Sequence, residues 1–328
     1  MPDSSPSVLV IRLDAIGDAL ALTPLLAAFA ERRIPVDLVM RAVNARVFSS
    51  RAAREVFIAP FALRSSTRQN RAAIAAFGAE LRSRGYSHVL VATEDPGGYR
   101  LARAVGAAHR IGFTNGWGKP LKTLWARMML TSDVVRSAGL DPRAPHECEV
   151  LFSLAKTLLG DAQPTRDPAR LRPLILEHET ARTGTVAFQV SDKWERLGIP
   201  FAEVVRAIRA CAAVAPLQLI SSSIESAYAQ RVAAATGIVV ETFDELEPWK
   251  EAIAAARALV APDSGALHVA GMVGTPTVAV FAPIAAFVLQ TARWRPWAAS
   301  CAVVRAEGEW PSATAGALVE LDPSRTTN

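Results

Sequence analysis

Cysteine is scarce in this 328-residue chain, and the three present, Cys148, Cys211 and Cys301, stand far apart with no C-x-x-C pair. That spacing excludes a disulfide framework and a cysteine-based zinc knuckle, so buried free thiols are the expectation. No G-x-G-x-x-G follows the first apolar strand, which removes the dinucleotide fingerprint of nicotinamide-dependent oxidoreductases. No short-period repeat runs through the chain, and solenoids and propellers are excluded with it. Residues 15–30 are almost wholly apolar but fall short of the roughly 20 residues that span a bilayer. Asp18 and the Thr23-Pro24 pair interrupt them as well, so a buried helix is expected there. Residues 1–7 are polar and lack the basic start of a secretory leader, which predicts a cytoplasmic protein.

What is present is the composition of a folded globular protein, with 51% hydrophobic and 20% charged residues. The length suggests two domains. Charge divides unevenly between them. Residues 1–160 carry 21 Lys and Arg against 13 Asp and Glu, whereas residues 161–328 carry 15 against 18. Arg41, Arg46, Arg51, Arg54, Arg64, Arg68, Arg71, Arg82 and Arg84 recur through the basic half. Such a field attracts an anionic partner, whether phosphorylated glycolipid, nucleic acid or acidic membrane surface. Solvated helix faces are the competing reading.

Short apolar runs alternate with helical stretches. Strands are predicted over 8–13, 36–40 and 88–93, with helices over 19–31, 99–105 and 146–159. After a proline-rich, charged stretch the alternation begins again, with strands over 186–190, 217–221, 238–241, 258–261 and 277–281. Helices over 201–213, 226–236, 249–256 and 266–272 lie between them. The order predicts an α/β chain of two doubly wound, Rossmann-like parallel-sheet domains. Their expected bounds are 1–165 and 186–328, joined by a linker over 166–185; the tail after Gly308 has too little apolar pattern to assign.

Three turns are candidate sites. The first, Asp14-Ala15-Ile16-Gly17-Asp18, leaves strand one at the carboxyl edge of the sheet, where α/β proteins bind ligands; Asp18 there is either a functional carboxylate or a helix cap. In Asp263-Ser264-Gly265-Ala266-Leu267-His268, small residues open a helix whose first amides suit an anion. An ordinary cap followed by a packed helix explains the same residues, with His268 structural. In Gln189-Val190-Ser191-Asp192-Lys193, the lysine either neutralises a diphosphate or is simply exposed.

Taken in order, the opening Val8-Leu9-Val10-Ile11-Arg12-Leu13-Asp14-Ala15-Ile16-Gly17-Asp18, the run Arg110-Ile111-Gly112-Phe113, and Asp263-Ser264-Gly265-Ala266-Leu267-His268 with Gly274-Thr275-Pro276 resemble glycosyltransferase family nine, the ADP-heptose:lipopolysaccharide heptosyltransferases. The resemblance implies a GT-B fold, with an acceptor domain first and a nucleotide-sugar domain second, facing a cleft. It implies inverting transfer of heptose from ADP-heptose to an anionic glycolipid of the lipopolysaccharide core, without metal or other cofactor. Peripheral contact with the inner membrane and no nucleic acid partner follow from the same likeness. Asp18 matches the family's catalytic base, and Lys193 its phosphate-contacting lysine. The backbone of Ser264, Gly265, Ala266 and Leu267 matches its phosphate cradle; Asp263 and His268 take orienting roles, and Glu225 aligns with a nucleoside-contacting acid. The absence of any D-x-D triplet agrees with metal-free chemistry.

Three loops depart from the family pattern. Gln189-Val190-Ser191 replaces a His-Pro-Gly-like loop, Lys193-Trp194-Glu195 replaces Lys-x-Trp-Pro, and Ala282-Pro283-Ile284 replaces Gly-Pro-Thr. They keep open a member that binds a glycan or protein partner without catalysis, or one using another nucleotide sugar or a protein acceptor.

Overall fold

The computed structural model describes residues 6–136 and 145–321. Apart from 141–143, which lie outside those residues, the chain divides into two compact units between Thr165 and Arg166.

The first unit is built on β1 (Val8–Ile11), β2 (Val36–Met40), β3 (Glu55–Ile58), β4 (His88–Val91), β5 (His109–Thr114) and β6 (Ser132–Val135). Their order is β3-β2-β1-β4-β5-β6, and every pairing is parallel. Helices α1 (Ile16–Leu20), α2 (Thr23–Glu31), α3 (Arg68–Arg82), α4 (Pro96–Val105), α5 (Pro120–Arg127), α6 (Glu147–Phe152) and α7 (Lys156–Leu159) complete it. Central β1 is wholly buried, as its unbroken Val-Leu-Val-Ile run requires of a strand covered on both faces.

The single helix expected over 19–31 is two. Pro24 has no N–H to give the carbonyl of Leu20, and the Thr23 hydroxyl donates to that oxygen instead, at 2.6 Å. Leu20 therefore ends α1, and Thr23-Pro24 opens α2. The apolar run is buried as expected, Leu25, Leu26 and Phe29 completely. Among the described residues no helix is long and apolar enough to cross a membrane.

The second unit repeats the plan with β7 (Val186–Gln189), β8 (Leu217–Ser222), β9 (Val240–Phe243), β10 (Ala258–Pro262), β11 (Thr277–Phe281) and β12 (Cys301–Arg305). The strands are again parallel, in the order β12-β11-β10-β7-β8-β9. Its helices are α8 (Pro168–Leu171), α9 (Lys193–Arg196), α10 (Phe201–Val214), α11 (Ser226–Thr236), α12 (Leu246–Ala255), α13 (Gly265–Val273), α14 (Phe287–Trp294) and α15 (Trp310–Glu320). Trp194 is fully buried and stacks on Phe188 and on Trp310, at 5.7 and 5.8 Å between ring centroids. The stretch read as a linker packs within this unit: Leu171, Leu174, Ile175 and Leu176 are buried, and the buried Lys250 ammonium donates to the Ile175 carbonyl at 2.6 Å. Of the cysteines, Cys148 and Cys211 are buried free thiols and Cys301 is half-buried.

Candidate active site

In the first unit the turn after β1 is organised around one cation. Arg12 is 2% exposed although it carries a full charge, so it is held by polar groups on several sides. Its Nε donates to the Asp18 carbonyl at 3.0 Å, and one terminal nitrogen donates to the Ala92 carbonyl at the end of β4. The guanidinium lies 3.4 Å from carboxylate oxygens of both Asp14 and Asp18, and 3.6 Å from Glu147. Asp18 also reaches back to accept the Ala15 N–H at 3.2 Å, closing the first turn of α1. It thus caps the helix and remains about one third exposed.

Glu147, at the start of α6, is completely buried and joins this cluster to a second cation, Arg136, at 2.7 Å. Burial raises its carboxyl above the ordinary value, against the pull of Arg136 and Arg12. Arg136 and Lys122 in turn hold Glu94, at 3.3 and 2.8 Å. The Lys122 contact draws the Glu94 carboxyl down, against the burial that would raise it.

In the second unit the candidate residues come from the carboxyl ends of three adjacent strands, β10, β7 and β8. β7 runs into Val190-Ser191 and α9, whose first residue is Lys193. β8 runs into a short 3-10 turn, Ser223–Glu225. β10 runs through Asp263-Ser264 into α13. Ser191 ties two of these together: its hydroxyl donates to Glu225 at 2.8 Å and accepts the Lys193 N–H at 3.1 Å.

Electrostatics connects the third. The Lys193 charge acts on Asp263, whose carboxyl is raised by burial and pulled back by Lys193 and by a 2.6 Å hydrogen bond from the Gln290 amide. It acts also on His268, whose imidazole is lowered to about 4 by burial and then by Lys193. His268 is therefore a neutral ring at physiological pH, packed edge-on against Trp294. Glu225 is raised by burial and by sharing a hydrogen bond with Asp192; Arg196, 3.7 Å away, opposes the rise.

At the opening of α13 the Leu267 N–H donates to the Ser264 carbonyl at 3.1 Å. The amides of Gly265 and Ala266 are then the ones at the open first turn. The Ser264 hydroxyl and the Gln290 amide oxygen are buried there, and among the described residues neither finds a hydrogen-bond partner. Anion binding at such a helix start is chemically apt, because the dipole and the free donors act in the same direction.

The geometry thus brings Lys193, Glu225, Asp263, Ser264, Gly265, Ala266, Leu267 and His268 to one sheet edge of the second unit, and it places Asp18 at the corresponding edge of the first. Sequence reasoning missed Arg12, Glu147, Ser191 and Gln290. Arg12 directly follows an unbroken apolar strand, a position where a charge needs partners, and that signal was legible. Glu147 and Gln290 lie far from their partners in sequence and carried none.

The altered loop of β7 now has a structural account. The Gln189 side chain accepts the Trp249 indole N–H at 2.9 Å, while its carbonyl accepts that of Trp194, also at 2.9 Å. Gln189 therefore braces the strand end from within.

Comparison with known proteins is consistent with this arrangement. The family model "Glycosyltransferase family 9 (heptosyltransferase)" matches residues 221–322, a span that includes Glu225 and the whole 263–268 motif. No curated protein sequence matches the chain. Among solved structures, E. coli heptosyltransferase WaaC with ADP is similar at TM-score 0.69 and 18% identity, over 96% of this chain and 98% of that one. The same enzyme with ADP-2-deoxy-2-fluoro heptose gives TM-score 0.65 at 20% identity, over 96% and 98%. E. coli ADP-heptose lps heptosyltransferase II gives TM-score 0.68 at 16% identity, over 98% and 100%. At these identities the whole-chain likeness is one of fold, the two-sheet GT-B architecture. The chain is thus similar to glycosyltransferase family nine over residues 221–322 of its second unit, and similar in fold to the heptosyltransferase structures along nearly its whole length.

Proposed function

We propose that this protein transfers heptose from ADP-heptose to a phosphorylated lipopolysaccharide-core acceptor, inverting the anomeric centre without a metal ion. The observation that carries the reading is the convergence of Lys193, Asp263, His268 and the start of α13 on neighbouring strand ends, within and beside the span that the family model matches. A lysine charge and a helix N-terminus together suit a nucleoside diphosphate, whose charge grows as the sugar leaves. Support for the nucleotide comes from WaaC, which has been solved with ADP and with an ADP-heptose analogue.

In this scheme the Asp18 carboxylate takes the proton of the acceptor hydroxyl, and the oxygen so activated attacks the anomeric carbon from the side opposite ADP. Arg12 fixes the Asp18 backbone and stands beside its carboxylate, so the base is held in one orientation. Lys193 and the amides of Gly265 and Ala266 meet the charge released on the diphosphate. Asp263, tied to Gln290, and neutral His268 hold the turn that presents those amides. Glu225, fixed by Ser191, is assigned to the nucleoside.

The test is ADP release and product formation on mixing the protein with ADP-heptose and a core acceptor. Turnover that needs both substrates is expected. Absence of turnover with retained ADP binding would favour the second reading, a non-catalytic glycan-binding or partner-binding member, which the altered loop at Gln189-Val190-Ser191 keeps in view.

A further inference from the structure

From the region around α5 we infer that this protein docks on an anionic lipid bilayer through one face of the first unit. Trp117, Leu121, Leu124 and Met128 are 96%, 83%, 62% and 58% exposed. Leu121, Leu124 and Met128, three and four residues apart, lie along one stripe of α5, and Trp117 stands in the 3-10 turn Gly116–Gly118 just before it. The buried residues of the same helix, Thr123 and Ala126, face the sheet, so the stripe is its outward side. Edge strand β6 extends the surface. Val135 is 60% exposed and lies beside Gly116, where an added Cβ would come within 3.1 Å of it. A cluster of large apolar side chains this exposed marks a surface that something covers.

The charges around the stripe identify what covers it. From 115 to 131 the chain has Lys119, Lys122 and Arg127 and no acidic residue. Neighbouring Arg103 reaches the α5 end at Met128 and Met129, and Arg100 lies over the Trp125 ring, 5.5 Å from its centroid. The nearest acids are already held, Glu94 by Lys122 and Asp133 by Arg127. An apolar stripe with a tryptophan at one end, whose rim has more basic residues (Arg100, Arg103, Lys119, Lys122, Arg127) than acids (Glu94, Asp133), fits the headgroup boundary of an anionic bilayer. A second copy of the chain fits poorly, because α5 laid against α5 would oppose two rims of net positive charge.

This proposal sharpens the membrane side of the proposed function, yet vesicle binding is read without donor or acceptor, so the two fail separately. The test is sedimentation of the full chain with vesicles of phosphatidylcholine alone or with added phosphatidylglycerol. Binding to the anionic vesicles only is expected. Leu121→Ser with Leu124→Ser should abolish it, and Lys119→Gln and Arg127→Gln should each weaken it about fivefold. Val239→Ser, at an 84% exposed position of the second unit, should leave it unchanged. Denaturant unfolding of each variant reports whether the fold is intact.

Failure of the wild type to sediment with anionic vesicles overturns the inference. Equal binding to both vesicle types, or binding that survives the Leu121 and Leu124 changes, does so too. Concentration-dependent self-association that those two changes remove would overturn it in favour of a dimer.

Discussion

At the residue scale, Asp18 and Arg12 separate chemistry from support. Asp18→Asn removes the proposed proton acceptor and keeps the shape, so turnover should fall by about 100-fold to 10,000-fold while donor binding, measured by titration, stays within about twofold. Arg12→Met is different. It leaves buried Glu147 and the Asp14 and Asp18 carboxylates without the cation among them, and denaturant unfolding should show a loss of about 3 to 5 kcal/mol. Adding Glu147→Gln to Arg12→Met should recover part of that loss, because it removes a fully buried charge that keeps Arg136 but has lost Arg12. No recovery in the double variant would mean that Arg12 acts through its backbone hydrogen bonds alone.

His268 supplies a pH dependence at the same scale. Its folded-state value, about 4, is depressed below the ordinary 6.5, so its contribution to stability is present above 6.5 and is lost as the pH falls towards 4. The full effect is on the order of 3 kcal/mol. His268→Gln should flatten the melting temperature between those pH values relative to wild type. An unchanged slope would show that other groups set the acid limb.

At the scale of elements, two glycines measure how tightly helices are set. A Cβ on Gly78 of α3 would lie 2.3 Å from the Ala104 Cβ and 3.1 Å from its backbone carbon, and one on Gly271 of α13 would lie 2.7 Å from the Trp297 backbone nitrogen. Backbone cannot swing aside as a side-chain end can. Gly78→Ala and Gly271→Ala should each therefore destabilise the fold by about 1 to 3 kcal/mol in denaturant titrations. Gly271→Ala should in addition weaken nucleotide binding, because it displaces the helix whose first turn is assigned to the phosphates. Gly78→Ala, in the other unit, should not.

Elements also show where the sequence was readable. β2, α11 and β11 begin and end where the apolar pattern says, since each is a compact run flanked by turn residues. β3, β6, β12 and α14 were missed. Their residues are largely half-buried or exposed, and Glu55, Ser132 and Arg305 at strand ends blur the apolar run on which strand recognition depends. α3 escaped because its buried residues, Asn70, Ile74, Phe77, Gly78 and Leu81, include a polar side chain and a glycine. The hydroxyl bond that replaces Pro24's missing donor was not legible either, although the proline that calls for it was.

At the scale of the whole molecule, the alternating pattern specified two doubly wound units, and the motifs at strand ends located the candidate residues. What the pattern could not supply was the set of contacts made across sequence distance. Gln290 meets Asp263 from 27 residues away, and Glu225 meets Ser191 from 34. Charge asymmetry between the halves was likewise legible in the sequence, whereas the exposed stripe on α5 is visible only in the fold.

The proposed function requires the second unit to bind an adenine nucleotide sugar through Lys193 and the start of α13. Calorimetric titration of the purified protein with ADP and ADP-heptose, with UDP, GDP and their sugars as controls, tests this directly, repeated on Lys193→Ala. The prediction is selective binding of ADP and ADP-heptose, weakened about 10-fold to 100-fold in Lys193→Ala by loss of a charge-assisted contact to phosphate. Folded protein that binds no nucleotide, or that binds ADP equally well without the Lys193 ammonium, would contradict it.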